Sequence, residues 1–137
     1  MKRFTFFLLL SVPALMMLQA QQLSPVYIVE MGDAYPESFR DDNGNVHMYF
    51  AVHGMTTQTS REEFINGLYG FGGVEEVEVT DAGTLATTFH VVLYSDAGIN
   101  FVKKMFYMQN MTQYLFYGES YTMDELTNEI ITNHIEL

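Results

Sequence analysis

The 137-residue chain contains no cysteine, and it carries six basic against seventeen acidic side chains for a net charge of −11. The absence of cysteine excludes a disulfide framework and a thiolate metal site. So acidic a surface repels phosphate backbones and anionic membranes, which argues against nucleic acid as a partner.

The first twenty residues have the pattern of a secretory signal peptide. Lys2 and Arg3 form a short basic region, Phe4–Leu18 is nearly all apolar, and Ala20 suits signal peptidase. The apolar run falls short of the ~20 residues that a membrane-spanning helix needs. We therefore expect a periplasmic or secreted product without membrane insertion. Cleavage would leave four basic against seventeen acidic residues, a net charge of −13.

Residues 21–45 carry weaker patterns. Val26–Val29 could form a short strand, but Pro25, Pro36 and the Asp41–Asn45 turn cluster interrupt the surrounding sequence. We interpret residues 21–45 as an N-terminal extension lying across a domain that spans residues 46–137.

The clearest strand begins at Val46, where apolar and mixed positions alternate. The residues predicted to face the core are Val46, Met48, Phe50 and Val52. The residues predicted to face outward are His47, Tyr49, Ala51 and His53.

A helix should follow this strand. Ser60 and Glu63 have the spacing of a capping box, Phe64 and Leu68 give the helix an apolar stripe, and Gly70 ends it. A β-hairpin of residues 74–80 and 84–94 comes next, with Leu85, Thr87, Phe89, Val91 and Leu93 facing the core.

The remaining elements complete a recognisable order. Ser95 is placed to cap a second helix through about Asn110, residues 114–117 form a fourth strand, and Thr122 with Glu125 starts a last helix. The order βαββαβ predicts an α+β, ferredoxin-like fold with an extra C-terminal helix from about residue 122.

One loop suggests a family. The run Val52-His-Gly-Met-Thr-Thr57-Gln-Thr-Ser60, followed by residues 73–79, resembles the heavy-metal-associated domain. The resemblance implies the same ferredoxin-like fold and a loop in which two cysteines bind the metal. Thr57 and Ser60 stand at those cysteine positions, and hydroxyls cannot replace thiolates for Cu(I) or Zn(II). The resemblance thus implies a degenerate family site.

Methionines form the first candidate metal site. Met105, Met108 and Met111 are spaced three apart, as in the methionine motifs of exported copper-handling proteins. Thioethers bind Cu(I) and need no reducing compartment. The same spacing on an amphipathic helix also suits core filling.

Histidines form the second candidate. His47, His53 and His90 share the outward parity of strands expected to pair, so His90 could approach either of the others. Imidazoles in such a position could bind Zn(II) or Cu(II), although a solvated sheet surface would carry the same residues.

No nucleophile motif or phosphate loop points to an enzyme. The sequence favours an exported, non-enzymatic binding module without a cofactor, whose partner is another protein or a small ligand. The alternative is a periplasmic copper-handling protein that uses methionine and histidine. The outward-facing positions are apolar enough that we expect the extension, the last helix or a second subunit in a homodimer to cover them. Those positions are His47, Tyr49, Ala51, Thr88, His90, Val92 and Tyr94.

Overall fold

The computed structural model describes residues 26–135 and residue 137, so the predicted signal peptide lies outside the described residues. The strands are β1 Ile28–Met31, β2 Phe39–Arg40, β3 Val46–His53, β4 Val74–Ala82, β5 Ala86–Leu93, β6 Gln113–Phe116 and β7 Glu119–Thr122. The helices are α1 Gln58–Tyr69, α2 Ile99–Met108 and α3 Asn128–His134. None of these helices is long and apolar enough to span a bilayer.

The described residues form one mixed seven-stranded sheet, which confirms the predicted α+β class. The strand order is β4-β5-β3-β1-β6-β7, and β2 also pairs with β3. β1 and β6 are parallel, whereas the other pairs are antiparallel. The strand that follows the first helix therefore lies at one edge, and β3 and β5 are the antiparallel neighbours that the sequence predicts.

The segment interpreted as an extension supplies two strands of this sheet. β1 lies between β3 and β6, with its Val29 and Met31 side chains buried in the core. Because β1 covers only the His53 half of β3, the other half is free to pair with β2, where Phe39 lies opposite His47. The region before Val46 is thus part of the sheet and does not simply lie across it.

All three helices lie on the same side of the sheet. Their buried residues join the inward-facing side chains of β3 and β5 in one core. The ring of Phe50 on β3 lies within 6.3 Å, centroid to centroid, of three other rings, those of Phe64, Phe89 and Phe106. The opposite side of the sheet, which carries His47, Tyr49 and His90, is called the outer face.

The first predicted helix cap is wrong by three residues. Helix α1 begins at Gln58, and Thr57 is its N-cap because the Thr57 hydroxyl accepts a hydrogen bond from the Ser60 amide at 3.1 Å. Thr57 has the extended backbone that an N-cap requires, so the chain turns into the helix before Ser60. Ser60 is therefore already helical, and its hydroxyl donates to the Thr57 carbonyl at 2.9 Å.

The predicted starts of the later helices are also wrong. Helix α2 begins at Ile99, four residues after Ser95. Its N-cap is Gly98, which has no side chain to cap the helix. The Glu125 carboxylate does accept a hydrogen bond from the Thr122 amide at 2.8 Å, but this contact closes a turn after β7. Helix α3 starts only after Thr127. A capping-box pattern identifies a local hydrogen bond, which a turn can satisfy as well as a helix.

Leu85 also departs from its predicted place. The prediction put it on the core side of the hairpin's second strand, but 79% of the residue is exposed. β5 begins only at Ala86, so Leu85 belongs to the turn that precedes it. The other four predicted inward positions, from Thr87 to Leu93, are fully buried.

Candidate functional site

A row of stacked rings crosses the outer face. Strand register places His90 on β5 opposite Tyr49 on β3, and Phe39 on β2 opposite His47. The ring centroids are 4.4 Å apart for Tyr49 and His90, and 4.6 Å apart for Phe39 and His47. Cross-strand neighbours on one face are close enough for such contacts. The row therefore follows directly from the pairing of three strands.

His47 and His90, called the histidine pair below, meet at the centre of this row. The distance from His47 Nδ1 to His90 Nε2 is 2.9 Å. Their positions are diagonal across the β3 and β5 pairing, which lets the two imidazoles approach edge to edge. Their side chains are 19% and 16% exposed, so both remain in contact with solvent. The predicted approach of His90 to another histidine is confirmed.

A carboxylate lies beside the far nitrogen of each ring. Asp41 Oδ2 is 3.2 Å from His47 Nε2, which is within hydrogen-bond reach. Glu78 Oε2 is 3.6 Å from His90 Nδ1, an ion-pair distance. Glu78 lies opposite His90 in the β4 and β5 pairing. Four titratable groups from β3, β4, β5 and the turn before β3 thus form one chain in the order Asp41, His47, His90, Glu78.

The turn before β3 holds Asp41 in position. The Asp41 carboxylate accepts hydrogen bonds from the backbone amides of Asn43 at 2.9 Å and Asn45 at 3.0 Å. Its limited burial raises the pKa, but the hydrogen bonds from His47 and from these two amides outweigh that effect and lower the Asp41 pKa. Asp41 is accordingly an anion near neutral pH.

His53 is separate from the histidine pair. It lies at the end of β3, and its Nε2 contacts the Glu30 carboxylate of β1. Glu30 pairs with Ala51 in the sheet, one position along the outer face from His53. The third predicted histidine therefore makes an independent ion-pair contact.

The loop that resembles a metal-binding motif is closed by its own hydrogen bonds. The Thr57 and Ser60 hydroxyl oxygens lie 3.0 Å apart at the start of α1. The Thr57 hydroxyl caps the helix, and the Ser60 hydroxyl donates to the Thr57 carbonyl. The Thr87 hydroxyl donates to the Met55 carbonyl at 2.6 Å and ties the loop to β5. The two positions of the degenerate family site are thus adjacent, and both hydroxyls make hydrogen bonds that stabilise the start of α1.

The structure does not place the three predicted methionines on one surface. Met105 and Met111 are buried in the core, whereas Met108 is 57% exposed. Met108 and Met111 instead line a cavity of about 180 Å³ beside the loop, together with Met55. Met105 does not line this cavity, so the three methionines do not form the array that their spacing suggested.

Two members of the outer-face site were not predicted. Phe39 and Asp41 lie in the segment before β3, where the sequence shows only turn residues. The pairing of β2 with β3 is a short hairpin across the Asp41–Asn45 turn, but β2 has only two residues and so shows no alternation that would identify it as a strand. Within residues 26–135 and 137, no three histidine and acidic side chains are grouped closely enough to hold a metal ion by themselves.

No protein-family model matches the chain, and no curated protein matches it significantly. The likeness to the heavy-metal-associated domain accordingly rests on the residues of the loop and of the strand that follows α1.

Proposed function

We propose that this protein is an exported, non-enzymatic binding module whose outer face binds a basic segment of another polypeptide. The signal-peptide pattern of residues 1–20 supports a periplasmic or secreted location. The fold we propose is ferredoxin-like and related to the heavy-metal-associated domain. The order β3, α1, β4, β5, α2, β6 supports this, and the strand β1 between β3 and β6 is a departure from the predicted pattern.

The observation that carries the proposal is the one-sided placement of the helices. All three pack against the inner side of the sheet, so no described helix covers the row of rings on the outer face. Phe39 at the end of that row is 41% exposed. Aromatic rings standing partly free beside polar groups are typical of surfaces that bind other proteins.

Charge selects the kind of partner. Three carboxylates, those of Glu30, Asp41 and Glu78, border the outer face. Arg40, the residue before Asp41, already donates to the Gly44 carbonyl at 2.6 Å. Arginine and lysine side chains pair with carboxylates and also stack on aromatic rings. Two copies of a chain with a net charge of −11, or −13 after the predicted cleavage, repel each other, which favours a basic partner over a homodimer.

The test is a titration of the protein with a peptide of alternating arginine and valine, monitored through the NMR chemical shifts of the backbone amides. We expect the shifts to change on β3 and β5 and to stay constant on the helices. Binding should weaken as salt is added, because the attraction is between exposed charges. A peptide of alternating glutamate and valine should not bind.

A pair of matched variants locates the contact. Glu30→Gln with Glu78→Gln should weaken binding roughly threefold to tenfold, from about 0.3–0.7 kcal/mol for each exposed charge removed. Glu63→Gln with Glu129→Gln changes the net charge equally on exposed positions of α1 and α3 and should have little effect. Equal weakening by both pairs would overturn the assignment of the face. Self-association of the wild type through β3 and β5 would overturn the choice of partner.

A further inference from the structure

The two facing nitrogens of the histidine pair can share either a proton or a metal ion. A neutral imidazole has one N–H, and a carboxylate can only accept a hydrogen bond. Asp41 therefore draws the N–H of His47 to Nε2 and leaves a lone pair on His47 Nδ1. His90 Nε2 lies 2.9 Å from that lone pair, where its N–H can donate to His47 Nδ1. A metal ion that displaces this proton would have both nitrogens as ligands.

We propose that the histidine pair binds a divalent transition-metal ion, with His47 Nδ1 and His90 Nε2 as ligands. A histidine that ligates a metal commonly donates its other N–H to a carboxylate, which fixes the tautomer and the ring orientation. Asp41 stands in that position on His47, and Glu78 lies 3.6 Å from the corresponding nitrogen of His90. This inference goes beyond the proposed function, because metal binding at the histidine pair requires no partner polypeptide.

The distances suit such an ion. Two nitrogens on a tetrahedral zinc ion, at about 2.0–2.1 Å each, are about 3.3 Å apart. The rings of His47 and His90 are 2.9 Å apart at the facing nitrogens, so the nitrogens would have to separate by about 0.4 Å and the rings would have to turn until both lone pairs point at the ion. Both rings lie on the solvent side of the sheet, where this requires no movement of the core.

The ligand type selects the class of metal. Imidazole nitrogen suits Zn(II) and Cu(II), whereas Mg(II) and Ca(II) prefer oxygen ligands. Among the described residues only two nitrogens converge, so the remaining coordination positions fall to water. The strongly negative chain also raises the local concentration of cations. Excess Mg²⁺ can therefore separate the histidine site from general attraction to the acidic surface.

The experiment is a calorimetric titration of the whole protein with Zn²⁺ in excess Mg²⁺ and without any peptide. We expect one bound ion for each chain, and His47→Gln and His90→Gln should each lower the affinity by more than about 100-fold, since removing a ligand costs more than removing its orienting partner. His53→Gln removes the separate outer-face histidine and should leave the affinity within threefold of wild type.

The carboxylate has its own matched control. Asp41→Asn should lower the affinity about 10–100-fold, Asp41→Glu should recover part of the loss, and Asp42→Asn, which changes the same charge one residue away, should have little effect. The NMR chemical shifts of the imidazole nitrogens are measured in the wild type, so this result does not depend on whether a variant folds. Zn²⁺ should move the His47 and His90 signals and leave His53 unchanged. No Zn²⁺ binding in excess Mg²⁺, or equal losses in His53→Gln and His90→Gln, would overturn the proposal.

Discussion

Thr87→Val tests how the loop between β3 and α1 is held. Thr87 is fully buried, and its hydroxyl donates to the Met55 carbonyl at 2.6 Å. Valine has nearly the shape of threonine but no hydroxyl, so the carbonyl would lose this donor inside the protein. A buried acceptor without a partner costs about 1–3 kcal/mol.

We expect that loss as a shift in urea denaturation. With a slope of about 2 kcal/mol/M, a destabilisation of about 2 kcal/mol lowers the midpoint by roughly 1 M. The matched control is Thr88→Val, because Thr88 is the next residue on β5, and the structure gives its side chain no hydrogen-bond partner among the described residues. That variant should lie within about 0.5 kcal/mol of wild type.

A local measurement accompanies the global one. The loop is also tied to the β4–β5 turn by a hydrogen bond from the Gly54 amide to the Leu85 carbonyl at 3.0 Å. Thr87→Val should speed hydrogen exchange at the Gly54 amide more than at amides in the middle of β3. Equal denaturation midpoints for Thr87→Val and Thr88→Val would refute the reasoning, because the buried hydroxyl would then contribute no more than the half-buried one.

Three further predictions follow from the described contacts. Thr57→Cys with Ser60→Cys should gain Cu(I) binding in competition with a chromogenic chelator under reducing conditions, because the helix start favours thiolates; a folded double variant that binds no better than wild type would contradict the family resemblance. Burial raises the pKa of Tyr114 above 10.0, its value in the unfolded chain. The stability that its neutral phenol contributes is therefore complete below pH 10.0 and is lost progressively as the pH rises above that value. Tyr114→Phe should therefore lose less stability than wild type in a urea series above that pH, and parallel curves would argue against this. Met105→Ala should cost about 2–5 kcal/mol on denaturation, against less than about 0.5 kcal/mol for the exposed Met108→Ala; similar losses would contradict the core position of Met105.

Local patterns alone determined β3 and most of β5, with their faces. The alternation from Val46 to Val52 and from Thr87 to Leu93 places every second side chain on the core side, as the structure does. The period of two is a property of the strand itself, and it needs no knowledge of the neighbouring strands. The same patterns placed His47 and His90 on one face, which made their approach predictable.

Helix starts were less predictable, because several polar residues near each start can supply the same hydrogen bond. Thr57 and Ser60 both carry hydroxyls, and only the backbone path decides which of them precedes the first helical turn. Thr122 with Glu125 forms the expected contacts, yet the chain continues into a turn. Capping energies of about 1 kcal/mol are easily outweighed by the packing of the residues that follow.

Tertiary structure decided which other residues join the histidine pair on the outer face. β1 and β2 are short. The place of β1 depends on its pairing with β3 and with β6, which lie far along the chain, whereas β2 pairs with β3 across the Asp41–Asn45 turn. Phe39 and Asp41 reach His47 only because that pairing folds the preceding turn back onto the sheet. The pairings of β1 with β3 and β6 close longer loops, and the burial that offsets this cost is a property of the whole domain, so no short window of the sequence contains them.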